Sequence, residues 1–403
     1  WAGKSMDTPW TFVTTPRLRG KSCGVPPVPT CGRKIMSLTI ENNILMKNGK
    51  PFFYLADTCW SAFTNIKDND WDYYLDYRKS QGFNTLQINI LPQWDASATD
   101  LCYEPFEVID GKYNYKKLNL SYFEHADKMC ARAKEKGFEL ALVIMWCNFV
   151  PDTWASQFYS KGLMPIDCID NYINIIHETF TKYEPLYIIS GDTDFNTEQC
   201  IEYYVKCAKQ IKELAPNCLY TTHIKGRYTY IPDNLYSYLD LCFYQSGHNA
   251  QNLGMPYLLA EEMADKYKGK PVINSEPCYE DMGYSRQMYG RWSKEDIIRA
   301  AWMSLLSGAS AGITYGAAGI YSWHTTNKGF EASLGEGFAT PKCWQQALCF
   351  DGAWDYGYIK YIFETYDLYG LKAIQELLVK ENPEIRIARK DDKIVFHIIL
   401  TLN

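Results

Sequence analysis

Two apolar runs of the sequence end abruptly in a carboxylate. The run Ile-Ile-Ser-Gly-Asp ends at Asp192, and the run Val-Ile-Asn-Ser-Glu ends at Glu276. Short, β-branched runs of this kind are typical of buried parallel strands. In a (β/α)8 barrel the carboxyl ends of the strands collect the active-site residues. Two carboxylates at that edge predict glycoside hydrolysis, in which one acts as acid/base and the other as nucleophile.

Glu276 is the candidate nucleophile. Pro277 follows it and fixes the direction of the loop, because proline lacks an N–H and has a restricted φ. A nucleophilic carboxylate must stay ionised, which requires hydrogen-bond donors nearby. We expect Tyr315 or His248 to supply them.

Asp192 is the candidate acid/base. Gly191 precedes it, and a residue without a side chain permits close approach of a substrate to the backbone. As an acid, Asp192 must keep its proton until the leaving-group oxygen arrives, which requires partial desolvation or a neighbouring negative charge. Asp192 could instead cap the next helix, and Asp194 and Glu280 are the main alternatives for the carboxylate pair.

Polar and aromatic residues follow the other candidate strands as well. Their coincidence at the strand ends indicates a binding cleft, because the interior of such a barrel is packed with apolar side chains. Taken singly, Asp57 could cap a helix and His223 could be a buried, hydrogen-bonded histidine. The cleft candidates at the strand ends are Asp57, Asn89, Trp146, Asn148, His223, Gln245, His248 and Tyr315.

Strands and helices alternate from residue 52 onward. The sequence predicts strands over residues 52–57, 83–90, 138–145, 186–190, 218–223, 241–245, 271–275 and 312–315. Helical periodicity lies near 68–80, 121–136, 167–183, 197–214, 255–267 and 293–307, with only a short segment between strands five and six. Gly82 and Gly137 fall just past two helices, where a left-handed cap is needed. This alternation predicts a parallel (β/α)8 TIM barrel.

The two ends of the chain differ from the barrel segment. Residues 1–35 are rich in Pro, Gly, Arg and Lys without periodicity, so we expect a disordered or non-native leader before Met36. A β-hairpin turning at Asn48-Gly49 should open the catalytic domain, which we place over residues 36–380.

After the eighth strand we expect a Gly-rich loop over 317–340 and helices near 341–350 and 354–380. Residues 381–403 predict a C-terminal β-hairpin that turns near Asp391-Asp392. It either packs on the barrel or begins a β-domain such as a truncated β-sandwich.

Composition argues against several functions. A formal charge of −6 and a pI near 5.6 disfavour a nucleic-acid surface, which needs clustered Lys and Arg. The six histidines form no HxH or HExxH pattern, and no phosphate-binding glycine motif is present, so we expect neither a metal nor another cofactor. The aromatic content of 15% fits both packing and rings that lie against sugar faces.

Cysteine usage and hydropathy bear on the compartment. The 14 cysteines are scattered singly without a CxxC pattern, which indicates free thiols in a reducing environment. No apolar run approaches the roughly 18 residues needed to span a membrane. The N-terminus also lacks the charged-then-apolar order of a signal peptide. We therefore expect a cytoplasmic protein with no membrane partner.

With these residues in place, the chain resembles the apiosidase-like glycoside hydrolases, family 140 or a near relative. The resemblance covers roughly residues 38–390, and its motifs lie in residues 48–60, 79–87, 189–192, 274–280 and 312–324. It implies a (β/α)8 barrel with the acid/base after strand four and the nucleophile after strand seven, which fall on Asp192 and Glu276. Such proteins usually have Gly-Gly-Asp where this chain has Ser190-Gly191-Asp192. They also commonly carry a C-terminal β-sandwich, and many are exported.

Together these patterns predict a retaining exo-glycosidase that removes a terminal sugar, an apiose-like furanosyl or related unit, from plant-derived oligosaccharides. Trp60, Gln87, Trp323 and His324 join the expected sugar pocket. One alternative is a catalytically silent carbohydrate-binding barrel, whose hallmark would be loss of one carboxylate. Another is a glycosidase of the same clan with pyranosyl specificity. A metal-dependent isomerase or amidohydrolase would need clustered histidines, which the sequence lacks.

Overall fold

A computed structural model describes residues 38–330, 336–380 and 382–398 of the chain. Its centre is a sheet of eight parallel strands, each followed by a helix, which confirms the predicted (β/α)8 barrel. The strands are β1 (Tyr54–Thr58), β2 (Thr85–Asn89), β3 (Glu139–Trp146), β4 (Leu186–Gly191), β5 (Leu219–Thr221), β6 (Cys242–Tyr244), β7 (Val272–Asn274) and β8 (Gly312–Tyr315).

The strands follow one another around the sheet in the order β5-β4-β3-β2-β1-β8-β7-β6. The first and last strands are neighbours, with Asp57 beside Tyr315 in the register. β5 and β6 share no ladder, but the amide of Asp240 donates to the carbonyl of Tyr220 at 2.8 Å across this seam. Every residue of every strand except Leu219 is buried, so the barrel has the packed interior typical of the fold.

The long helices of the outer layer lie where the sequence predicts them, and one short helix between strands five and six was not predicted. They are α1 (Asp68–Ser80), α2 (Leu120–Glu135), α3 (Ile169–Phe180), α4 (Glu198–Leu214), α5 (Asp233–Tyr236), α6 (Met255–Lys266), α7 (Lys294–Leu305) and α8 (Gly352–Thr365). Gly82 and Gly137 follow α1 and α2 with φ values of 92° and 82°, as expected for left-handed caps. A capping box between Ser293 and Asp296 begins α7.

The segment before the barrel forms three antiparallel strands rather than one hairpin. They are Thr39–Glu41, Ile44–Lys47 and Lys50–Pro51. The predicted turn at Asn48-Gly49 is present with both residues at positive φ, and a second turn at Asn42-Asn43 adds the extra strand. The leader predicted over residues 1–35 lies outside the described residues.

The segment after the barrel departs from the prediction in two places. A short helix, Ala318–Tyr321, lies within the expected Gly-rich loop, and Trp344–Leu348 precedes α8. The helix predicted over 354–380 ends at Thr365, because Asp367 and Gly370 adopt positive φ and turn the chain away from the helical path.

The chain continues as the short strand Lys372–Ala373, which pairs with the hairpin strands Ile385–Lys390 and Lys393–Ile398. This C-terminal sheet packs on α6 and α7. The guanidinium of Arg386 lies 3.5 Å from the centre of the Tyr257 ring, and His397 stacks on Trp302. Among the described residues, no helix is both long and apolar enough to cross a membrane.

A buried ion pair joins the barrel to its outer layer. Arg78 on α1 donates to Asp57 on β1 at 2.5 Å, both side chains are fully buried, and the hydroxyl of Tyr74 donates to the same carboxylate at 2.7 Å. Successive side chains of a strand point to opposite faces, and Asp57 points outward to the helices. The expectation that Asp57 lines the cleft is therefore corrected: it holds α1 against β1.

We predict that Asp57→Asn lowers the free energy of unfolding by about 3–5 kcal/mol, because it leaves Arg78 buried without its counter-charge. Urea denaturation measures this loss. The control is Asp72→Asn, which removes the exposed partner of Arg132 and should change stability little. Equal stability of the two variants would contradict the structural role assigned to Asp57.

Candidate active site

A cleft of about 690 Å³ opens at the carboxyl ends of the barrel strands. Both predicted catalytic carboxylates line it, and four further predicted residues line it with them: Trp60, Trp146, Gln245 and His248.

Glu276 follows β7 and is only 7% exposed. Nε2 of His248 lies 2.9 Å from its Oε1, in hydrogen-bonding geometry. Nε2 of His223 lies 2.9 Å from its Oε2, within ion-pair distance but poorly aligned for a hydrogen bond. The carboxylate therefore has one imidazole beside each oxygen.

The environment of Glu276 favours the ionised form. Burial alone would raise its pKa, but the contacts with His223 and His248 outweigh burial and lower the pKa to about 2. Of the two donors expected for Glu276, His248 is correct. Tyr315 is wrong, because its hydroxyl donates to Glu280 at 2.6 Å instead.

The ring of His223 is held from two sides. Its Nδ1 lies 2.8 Å from Oγ of Ser275, the residue before Glu276. Its imidazole also stacks on the indole of Trp146, with ring centres 5.5 Å apart. His223 is fully buried beneath the cleft, so its contact with substrate would be made through Glu276.

Asp192 follows β4 with a φ of 51°, a left-handed conformation that aspartate tolerates better than most residues. Its carbonyl accepts a hydrogen bond from the indole Nε1 of Trp154 at 2.8 Å. It does not cap the next helix, since Thr197 is the residue that caps α4. Its side chain is thus left to face the cleft.

The carboxyl of Asp192 favours the protonated form. Burial is the main cause that raises its pKa well above the usual value, and the negative charges of Glu276, Glu336 and Asp95 add to it. Lys225 acts in the opposite direction without reversing the shift. The two carboxylates of the cleft are therefore driven apart in pKa, as an acid and a nucleophile require.

Gly191 is needed for a different reason from the one expected. A Cβ atom at this position would lie 2.0 Å from a ring carbon of Trp146, so the group that approaches the backbone is an indole ring rather than a substrate. Ser190, the departure from the usual Gly-Gly-Asp, donates from its hydroxyl to the carbonyl of His223 at 3.1 Å. It adds a link between β4 and the segment after β5.

The alternative carboxylates have structural partners. Asp194 is buried and pairs with Lys225 at 3.1 Å. Glu280 accepts from the amide of Gly352 at 3.2 Å and from Tyr315, so it binds the N-terminus of α8. Neither lines the cleft.

Six other predicted site residues lie beside or beneath the cleft rather than in its wall. Gln87 accepts from Tyr54 at 2.9 Å and donates to the carbonyl of Ser275 at 3.0 Å, and Tyr315 binds Glu280. Asn89 and Asn148 are buried, and their side-chain amides have no hydrogen-bond partner among the described residues.

Trp323 and His324 belong to the loop after β8. Trp323 stacks on Trp344 with ring centres 4.5 Å apart, and Nδ1 of His324 lies 2.9 Å from Oγ of Ser97. Their expected place in the pocket is corrected, because both side chains pack against neighbouring segments instead.

Sequence reasoning missed residues that lie on loops beyond the strand ends. Asp95 is the most important of them: burial, and then the charge of Glu276, raise its pKa to about 7. Tyr279 accepts from the indole of Trp60 at 2.9 Å. Only the order Gln-Trp-Asp soon after the second strand could have pointed to Asp95. The missed lining residues include Gln93, Trp94, Asp95, Trp154, Lys225, Arg227, Tyr279, Tyr321 and Phe338.

No group of three or more His, Cys, Asp or Glu side chains in the described ranges is arranged to hold a metal ion. The 12 cysteines within those ranges are free thiols.

The barrel and the carboxylate-lined cleft define a glycoside hydrolase. Residues 40–370 match the family described as "Apiosidase-like, catalytic domain". This match spans most of the chain, so the protein belongs to the apiosidase-like family, and the resemblance inferred from sequence motifs is confirmed.

Solved structures share the fold. A glycoside hydrolase superposes with a TM-score of 0.74 at 24% identity, covering 89% of this chain and 82% of that one. A family 5 glycoside hydrolase from Bacteroides vulgatus superposes with a TM-score of 0.75 at 24% identity, over 90% of this chain and 79% of that one. A second structure from that organism, described as a putative glycoside hydrolase, has a TM-score of 0.62 at 15% identity, with coverage of 88% and 67%. A search of curated proteins found no match.

We predict that Gly191→Ala lowers the free energy of unfolding by about 1–3 kcal/mol, because the new methyl group must displace the Trp146 indole. Urea denaturation measures the loss. The control is Gly226→Ala on another cleft loop, where the added Cβ meets its nearest atom at an ordinary 3.6 Å. If Gly191→Ala were as stable as the control, the indole would not be the reason for glycine.

Proposed function

We propose that this protein is a retaining exo-glycosidase with Glu276 as nucleophile and Asp192 as acid/base. The observation that carries the proposal is the opposite direction of the two pKa shifts in one cleft: Glu276 is held ionised and Asp192 is held protonated. A pair of titratable groups driven apart in this way is typical of an acid and a nucleophile. The presence of both groups disfavours a catalytically silent binding barrel.

In the first step, Glu276 attacks the anomeric carbon and Asp192 gives its proton to the glycosidic oxygen, so the aglycone leaves as an alcohol. The product is a glycosyl ester of Glu276. His248 and His223 stabilise the anion before attack, and the ester formed later no longer carries that charge. The imidazoles therefore also make Glu276 a good leaving group for the next step.

In the second step, the ionised Asp192 removes a proton from a water molecule, which attacks the anomeric carbon and breaks the ester. The sugar leaves with its original anomeric configuration, Glu276 is again a carboxylate and Asp192 is again protonated. The neighbouring negative charge of Glu276 raises the pKa of Asp192 only while Glu276 is free. Loss of that charge in the ester favours Asp192 as a base.

The substrate is proposed to be a terminal sugar of a plant-derived oligosaccharide, an apiose-like furanosyl unit or a related one. Membership of the apiosidase-like family supports a sugar of this class. The nearly buried position of Glu276 supports exo action, because a sugar must enter the cleft deeply to reach it. A pyranosyl specificity on the same machinery is the second candidate.

We predict that Glu276→Gln removes almost all turnover, since an amide cannot form the glycosyl ester. Asp192→Ala should slow methyl glycosides far more than 4-nitrophenyl glycosides, because a good leaving group needs little protonation. External azide should partly restore Asp192→Ala by attacking the ester. Equal losses on both substrates, without azide rescue, would contradict the assigned roles.

Retention has its own test. If the mechanism is retaining, the carboxyl groups of Asp192 and Glu276 should lie about 5–5.5 Å apart in a substrate complex. An inverting mechanism would require a separation of about 6.5–9.5 Å. Proton NMR of the first product should show the anomer of the substrate. The opposite anomer would assign an inverting mechanism.

The pH profile of kcat/KM follows from the pKa shifts of Glu276 and Asp192. Activity requires ionised Glu276, with a pKa of about 2, so kcat/KM should show no loss through mildly acidic pH. It also requires protonated Asp192, so kcat/KM should fall as pH rises through its raised pKa. With 4-nitrophenyl glycosides this alkaline limb should disappear in Asp192→Ala and persist in Asp95→Asn. An alkaline limb that survives in Asp192→Ala would assign it to another group.

A further inference from the structure

The cleft holds two carboxylates that the proposed mechanism does not use, Glu336 and Asp95, and of these Asp95 is the buried one. Asp95 lies on the loop after β2, lines the cleft and is only 7% exposed. Its Oδ1 has no hydrogen-bond partner in the described part of the chain. Burying a carboxylate oxygen that accepts no hydrogen bond is costly, so such an atom calls for an explanation.

The structural explanations that hold for the other buried carboxylates do not hold here. Asp57 has Arg78 and Asp194 has Lys225, whereas no basic side chain contributes to the environment of Asp95. The charge that does reach it is the negative charge of Glu276. Asp95 therefore lacks a counter-ion and has a like charge as its neighbour.

The loop that carries Asp95 is fixed in place. The amide of Ser97 donates to the carbonyl of Ser322 at 3.0 Å, and Asn65 donates to the carbonyl of Ser97 at 2.7 Å. The His324 imidazole lies 2.9 Å from the Ser97 hydroxyl. His324, which was predicted to line the pocket, therefore contacts the loop that carries Asp95. The backbone that carries Asp95 is thus tied to neighbouring segments within two residues of it.

Unpartnered polar atoms surround the same space. Gln93, two residues before Asp95, lines the cleft with a buried side-chain oxygen that accepts no hydrogen bond, and the hydroxyl of Tyr321 is buried and unpartnered. The cationic residues of the cleft belong to another loop, after β5, where Lys225 lowers the pKa of Asp192. Gln93, Asp95 and Tyr321 accordingly offer unpartnered polar atoms to a ligand in the cleft, while Lys225 and Glu336 both act on Asp192.

We propose that Asp95, together with Gln93, is the specificity-determining acceptor for the hydroxyl groups of an uncharged sugar bound against Glu276. Sugar hydroxyls supply the donors that the two oxygens lack, and by donating to Asp95 they favour its ionised form. Hydrogen bonds to a charged acceptor discriminate strongly. A uronic acid in this position would add a negative charge beside two carboxylates. The inference rests on the proposed function and names the substrate class of that same site.

The test compares Asp95→Asn with the wild type on 4-nitrophenyl and methyl glycosides of neutral sugars. The amide keeps the size of the side chain and loses its charge. We expect kcat/KM to fall about 10- to 150-fold, by the same factor for both leaving groups and without azide rescue. The control, Asp100→Asn, changes an exposed carboxylate paired with Lys328 further along the loop and should leave kcat/KM unchanged.

Three results would overturn the assignment. Unchanged kcat/KM in Asp95→Asn would remove Asp95 from sugar recognition. A loss confined to methyl glycosides, with azide rescue, would make Asp95 the acid/base. Faster cleavage of 4-nitrophenyl glucuronide than of neutral glycosides by the wild type would contradict the uncharged substrate class.

Calorimetry with free apiose separates this proposal from the proposed function. Weaker apiose binding in Asp95→Asn would support the recognition role of Asp95 whether or not Glu276→Gln is inactive. Turnover by Glu276→Gln would contradict only the assigned mechanism. Unchanged apiose binding in Asp95→Asn, together with an inactive Glu276→Gln, would contradict the recognition role of Asp95 and support the mechanism.

Discussion

The chemistry of this cleft depends on a negative charge kept ionised in a nearly buried position. Burial on its own would protonate Glu276, and the two imidazoles reverse that tendency. Burial raises the pKa of Asp192 and of Asp95, and the persistent charge of Glu276 raises both further. The two imidazoles thus keep Glu276 ionised, and that anion adds to the burial that favours the protonated forms of Asp192 and Asp95.

The barrel distributes polar residues by the alternation of its strands. Asp57 points outward from β1 and binds Arg78, while Gln87 points inward from β2 and accepts from Tyr54. Gln87 also donates to the carbonyl of Ser275, next to the His223 contact and just before Glu276. Polar groups below the cleft thereby fix the end of β7, and those outside the barrel fix the helices.

Much of the fold could be predicted because its signals are local. Apolar β-branched runs located all eight strands, and helical periodicity located the long helices between them, but the four-residue α5 is too short to show a period and was not predicted. The two cleft carboxylates could be found because each follows such a run. Tyr315, Trp323 and His324 could not be placed, because residues at the end of a strand or on a loop turn toward the cleft or away from it according to tertiary packing. Asp95 was missed because no run of residues marks the loop after β2, which is positioned by contacts with distant segments such as His324.

The contact between Gly191 and Trp146 sets how this site can be varied. At position 190 a hydroxyl group finds a carbonyl to bind, so the position tolerates a side chain. One residue later even a methyl group collides with the indole. Gly191 therefore cannot be changed when the sugar preference of the site is engineered. A side chain there would displace the Trp146 indole and the neighbouring Asp192 together.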